Sequence, residues 1–121
     1  MLPAAHRLRR KEDYDRVYKG GKTLHTALFR IKTAPNKGEE TRFGIVIPNK
    51  AIKRAFARNR KKRQVRSALG ELLPGIKKGE DVVLIAQPQL DAASYADILA
   101  DLREGLQKIG FIQTNNEETS S

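Results

Sequence analysis

The seventeen residues from Lys50 to Arg66 constrain this chain more than any other stretch. They read Lys-Ala-Ile-Lys-Arg-Ala-Phe-Ala-Arg-Asn-Arg-Lys-Lys-Arg-Gln-Val-Arg, with nine Lys or Arg and no acidic residue. Such a run repels itself until a polyanion neutralises it, so RNA or DNA is the first partner to consider. The bland alternative is a helix face that happens to be basic and simply meets water.

The run also carries a helical period. Val65, Ala68, Leu69 and Leu72 cluster within about a third of a helical wheel, and Asn59, Arg60, Lys62, Arg63 and Arg66 occupy the opposite half. The pattern predicts a helix that starts between Ile52 and Asn59 and stops near Leu73, before Pro74-Gly75. One stripe packs on a core and the cationic face docks on phosphates. Lys61 falls on the apolar side, where it is expected to snorkel past the core edge or to mark an irregular helix.

The net charge of +10 is unevenly distributed. Residues 1–66 hold 20 Lys and Arg against 5 Asp and Glu; residues 67–121 hold 4 against 9. That polarity favours nucleic acid over a general solubility device. The absence of cysteine excludes disulfides and thiolate metal sites and fits a reducing cytoplasm. No apolar run approaches the ~20 residues of a membrane span, so a soluble, cytoplasmic protein without a membrane partner is expected. The length suits one RNA-binding domain over residues 1–112, followed by a disordered polar tail at 113–121.

The remaining elements follow from period and punctuation. An extended basic leader with Arg7, Arg9, Arg10 and Lys11 precedes a short helix at about 11–19, ended by Gly20-Gly21. Tyr14, Val17 and Tyr18 share one face of it. The tyrosines read equally well as core anchors or as a stacking platform for unpaired bases. A strand is predicted over about 22–33, with His25, Ala27, Phe29, Ile31 and Thr33 on one side and Leu24, Thr26, Leu28, Arg30 and Lys32 on the other. His6 and His25 lack metal-ligand spacing and read as surface or turn residues. A second strand is predicted over 41–47, a buried one over 81–86, and a helix over 95–109 with Ser94 and Asp97 at capping-box spacing. The order, helix, two or three strands, basic helix, strand and helix, defines a two-layer α/β sandwich with a small sheet, αβββαβα in its three-strand form.

No autonomous active site is visible. There is no Cys nucleophile, no paired His, no HExxH and no P-loop. Asp97, Asp101 and Glu104 share a helix face, which a metal-dependent nuclease would need in a cleft, but they read as a solvated face. Binding is favoured over chemistry. The tyrosines beside an open sheet favour RNA, and the basic helix lacks a preceding helix-turn-helix pattern, so DNA is not expected as a partner.

These residues resemble a known family. Arg58-Asn59-Arg60 followed by Lys62-Arg63 and Arg66 is similar to the Arg-Asn-Arg signature of the bacterial ribonuclease P protein component. Met1-Leu2-Pro3, Arg7-Leu8-Arg9, Glu12-Asp13-Tyr14, Val17-Tyr18 with Gly21, Arg42-Phe43-Gly44 and Asp81 to Ala86 match further segments in order. The resemblance implies a subunit of a tRNA-processing ribonucleoprotein whose RNA hydrolyses the phosphodiester with Mg2+ held mainly by RNA; no metal-ligating residue of the protein is assigned. It implies that Arg58, Asn59, Arg60, Lys62, Arg63 and Arg66 face the catalytic RNA. It implies that Tyr14 and Tyr18 line a cleft for the 5′ leader of precursor tRNA, joined by Phe29, Arg30, Lys32 and Lys50. It also implies a left-handed βαβ crossover, against the right-handed default. A ribosome-associated or general RNA chaperone is the alternative. The chain departs from the family at Val46-Ile47-Pro48-Asn49-Lys50, where a Ser- and Lys-rich stretch is usual and the connection to Arg58 is one residue longer. It departs again at Lys61, where an apolar residue is common. The path of residues 46–57 is therefore not carried over.

Overall fold

The computed structural model describes residues 2–38 and 40–112; the expected polar tail at 113–121 lies outside them. The elements run α1 (Lys11–Gly20), β1 (Lys22–His25), β2 (Phe29–Pro35), β3 (Arg42–Val46), α2 (Ala55–Leu72), β4 (Glu80–Ala86) and α3 (Tyr95–Lys108). The four strands form one mixed sheet in the order β1-β2-β4-β3. β4 pairs antiparallel with β2 and parallel with β3. The basic helix α2 makes the β3–α2–β4 connection, the unit on which the implied crossover falls.

The single strand expected over 22–33 is a hairpin. Thr26 turns the chain: its backbone N–H donates to the Phe29 carbonyl at 2.8 Å, and its Oγ1 accepts from the Phe29 N–H at 3.0 Å. Reversal changes the partition of faces. Residues paired across a hairpin share a face, and the pairs are Leu24↔Ile31 and His25↔Arg30. Leu24 therefore joins the core side and His25 joins Arg30. Alternation alone does not reveal a reversal of direction, which is why the partition expected of a continuous strand fails.

One face of the sheet carries the main core. Phe29, Ile31, Phe43, Val82 and Leu84 meet Val65, Leu69 and Leu72 from α2 and Ile98, Leu102 and Leu106 from α3. Each such side chain contributes roughly 1.5–3 kcal/mol on burial. The helices form because their apolar stripes match this face. The Ser94–Asp97 capping box starts α3, with both reciprocal hydrogen bonds made.

The opposite face is covered only in part, by α1. Val17 and Leu8 are buried against Ala34 and Val83, with Tyr14, Val46 and Ile85 packed around them. Gly21 lets the end of α1 cross β2: a Cβ there would lie 2.1 Å from the Thr33 carbonyl oxygen. Asp81, fully buried, pins α1 to the sheet. It accepts from Arg42 at 2.9 and 2.8 Å, from Asn36 at 2.8 Å, and from Arg16. Burial alone would raise its carboxyl, yet these hydrogen bonds hold it below the usual carboxylate range.

Two residues of α2 and its approach depart from expectation. Lys61 does not snorkel: it is buried, and its Nζ donates to the Ala93 carbonyl at 2.5 Å, tying α2 to the turn before α3. Burial, then the neighbouring Arg60 charge, pushes its ammonium below the usual value. The connection ahead of α2 turns at Pro48, whose carbonyl accepts from Ala51 and Ile52, and Ile52 plugs into the core.

Candidate nucleic-acid interface

Two cationic surfaces emerge, and they adjoin. The first is α2. Asn59, Arg60 and Arg63 are exposed, and Lys62 and Arg66 are half-buried. On the helix Arg60 and Arg63 make one edge, while Asn59, Lys62 and Arg66 make the other. Arg58 is different. It lies on the core side of the wheel, and its Nη1 donates to the Ile52 and Lys53 carbonyls at 2.9 and 2.7 Å. That guanidinium clamps the connection ahead of α2 instead of extending the outward face, which corrects the grouping of Arg58 with Arg60 and Arg63.

The edge carrying Lys62 and Arg66 turns toward the half-open sheet face. Both line one concavity with Arg7, Arg9, Tyr14, Gly44 and Ile45. The basic leader and the basic helix, remote in sequence, thus flank one tyrosine.

The second surface is the part of the sheet that α1 leaves open. Tyr14 is half-buried, with its hydroxyl donating to the Leu8 carbonyl at 3.3 Å. Burial, then Tyr18, raises its phenol, opposed by the Arg66 charge. Tyr18 is 43% exposed, its ring centroid 6.5 Å from that of Tyr14 at an interplanar angle of 43°. So Tyr14 is partly an anchor, while Tyr18 presents its ring to solvent. Val46 and Ile85 lie half-buried beside Tyr14 on this face. Farther along, His25, Arg30, Lys50, Pro48, Ile85 and Gln87 line a second concavity. Lys32 lies on the same face, with Nζ 3.4 Å from Thr23 Oγ1.

The structure thus gathers Tyr14, Tyr18, Arg30, Lys32 and Lys50 on one side of the sheet. Phe29 is not among them. It is 0% exposed and belongs to the core on the opposite side, because its register places it across from Ala86. Its placement in a leader cleft is therefore corrected. His25, read as a plain surface residue, lines the groove with Arg30; its pairing opposite Arg30 becomes readable only once the hairpin is known.

Among the described residues no group of three or more His, Cys, Asp or Glu is arranged to hold a metal ion. No helix among them is long and apolar enough to cross a membrane. A cationic helix with no acidic residue from Ala55 to Gly70, beside a half-open sheet with an exposed tyrosine, defines a small basic α/β protein of the RNA-binding class.

Comparison with known proteins narrows the class to one family. A family model described as Ribonuclease P matches residues 2–110. The ribonuclease P protein component of Microcystis aeruginosa (strain NIES-843) is 36% identical over 115 residues, covering 92% of this chain and 96% of the relative. That of Roseiflexus sp. (strain RS-1) is 36% identical over 120 residues, covering 98% of each. Among solved structures, the RNase P protein of Staphylococcus aureus superposes with a TM-score of 0.81 at 25% identity, over 89% of this chain and 98% of that one. The Thermotoga maritima RNase P protein superposes with a TM-score of 0.77 at 29% identity, over 84% and 96%. This chain belongs to the bacterial ribonuclease P protein family. It is a protein subunit of the ribonucleoprotein endoribonuclease that assists 5′ maturation of precursor tRNA.

Proposed function

We propose that the two surfaces divide the work of this subunit. The outward face of α2, carried by Asn59, Arg60 and Arg63 with Lys62 and Arg66 at its edge, docks on the catalytic RNA. The open sheet face, with Tyr18 and Tyr14 at α1 and Arg30, Lys32 and Lys50 farther along, holds the single-stranded 5′ leader. The observation that carries this reading is the exposed Tyr18 on a sheet face that also carries Arg30, Lys32 and Lys50. A duplex hides its base faces, whereas a splayed strand offers them to a ring while its phosphates meet lysine and arginine.

The chemistry belongs to the RNA in this reading. Mg2+ sits on RNA phosphates, and the cations of α2 reduce the repulsion between RNA helices that would otherwise need more metal. The protein supplies binding and position in the cytoplasm as a single domain over residues 1–112.

The test is reconstitution with the organism's catalytic RNA at low magnesium. Adding the protein is expected to raise precursor-tRNA cleavage and to favour precursor over mature tRNA in binding. Cleavage unchanged by the protein would refute the reading. Stimulated cleavage with no preference for the leader would leave the α2 half standing and point to a general RNA chaperone.

A further inference from the structure

Phe56 is 64% exposed, more than any other large hydrophobic side chain among the described residues. It belongs to neither core cluster. It stands in the first turn of α2, and Asn59, Arg60 and Arg63 follow it at i+3, i+4 and i+7. Those spacings put all four on one helix face, and all four are exposed. The flanking Lys53 and Arg54 are exposed as well, and the first turn holds no acidic residue.

A lone exposed aromatic needs no explanation on an ordinary surface. This one sits in line with Arg60 and Arg63, which make no ion pair with a carboxylate among the described residues. The chemistry of the surroundings selects the occupant. A phosphate is repelled by the negative face of a ring, and an apolar protein partner would have to bury unpaired arginines beside it. A nucleobase suits both neighbours: its π-face covers the ring and its phosphates meet Arg60 and Arg63.

We propose that Phe56 is a base-stacking contact to the catalytic RNA, taking one unpaired or helix-terminal base at the amino-terminal end of the α2 face. The inference rests on the reading of α2 as the catalytic-RNA surface. It adds a contact of a different kind, one that is insensitive to salt because the ring neutralises no phosphate.

The chain has no tryptophan, so Phe56→Trp installs a single fluorescent reporter. Its emission is expected to quench on titration with the catalytic RNA. Phe56→Ala is expected to weaken catalytic-RNA binding by about 5- to 100-fold, with the salt slope and thermal stability unchanged. Arg60→Ala, measured alongside, is expected to lower the salt slope. Unchanged affinity for Phe56→Ala, together with unquenched emission from the Phe56→Trp variant, would overturn the stacking contact. If Arg60→Ala still lowers the slope in that case, the α2 reading survives and only Phe56 is removed from it. If neither variant changes binding, the α2 reading itself fails. Sedimentation of the free protein covers the other occupant: self-association abolished by Phe56→Ala would assign the ring to a second copy and overturn the proposal.

Discussion

The ring of Tyr14 lies directly on the backbone of Gly44. A Cβ built at Gly44 would stand 2.4 Å from Tyr14 Oη and 2.6 Å from Cζ, closer than real contacts allow. The glycine in β3 thus sets how deep α1 sits on the sheet and where the tyrosine pair faces the groove.

Gly44→Ala is therefore expected to lower stability by about 1–3 kcal/mol through overpacking, read as a fall in the thermal midpoint. Tyr14→Ala removes the clash, so the double variant is expected to lose less than the sum of the two single changes. Additive losses would show that the ring and the glycine do not share this contact.

Tyr18→Ala separates stacking from packing. The ring is largely outside the core, so stability is expected to change by no more than about 0.5 kcal/mol. Discrimination of precursor from mature tRNA by the reconstituted enzyme is expected to weaken by roughly 1–3 kcal/mol. Intact discrimination would remove Tyr18 from the leader surface.

The arginines of the Arg-Asn-Arg motif are expected to behave unlike one another. Arg60→Ala or Arg63→Ala should lower the slope of log affinity against log salt by about 0.7–0.9 each, one phosphate's worth. Arg58→Ala should leave most of that slope in place and lower the thermal midpoint, because its guanidinium holds the Ile52 and Lys53 carbonyls. Salt titrations of catalytic-RNA binding check the first, and thermal denaturation the second.

Much of this is legible in the sequence, and the exceptions have two physical causes. Element order, the stripes of α2 and α3, the Ser94 cap and the cationic face all follow from period and local chemistry, which act over a few residues. His25 falls on a side that a continuous strand would not give it, because Thr26 reverses the chain and a period-2 pattern does not encode direction; Phe29 keeps the core side that its alternation with Ile31 gives it, and only the family resemblance places it in the cleft. Arg58 and Lys61 escape sequence reasoning for a second reason. Their partners are backbone carbonyls, at Ile52, Lys53 and Ala93. A carbonyl is present at every residue, so no side-chain pattern marks which one is used. Arg58 does carry a signal: on the wheel it falls beside Val65 and Leu69, away from Arg60.

Asp81 gives a pH dependence with a definite sign. Its carboxyl titrates lower in the folded protein than the ~3.9 of an unfolded aspartate. The resulting stability is fully present above about pH 4 and is lost as pH falls through the folded value. Asp81→Asn should cost about 3 kcal/mol at neutral pH, the low end for breaking a buried pair because both arginines reach solvent. The gap between wild type and variant should then narrow below about pH 4. A gap that stays constant into acid would mean the carboxylate charge is not what matters.

The division of labour between the two surfaces is tested most directly by crosslinking inside the assembled enzyme. The chain has no cysteine, so Tyr18→Cys and Arg63→Cys each provide one attachment point for a short photoreactive group. With labelled precursor tRNA bound, position 18 is predicted to label the 5′ leader and position 63 the catalytic RNA. Labelling of the catalytic RNA alone from position 18, or of the leader from position 63, would contradict the account.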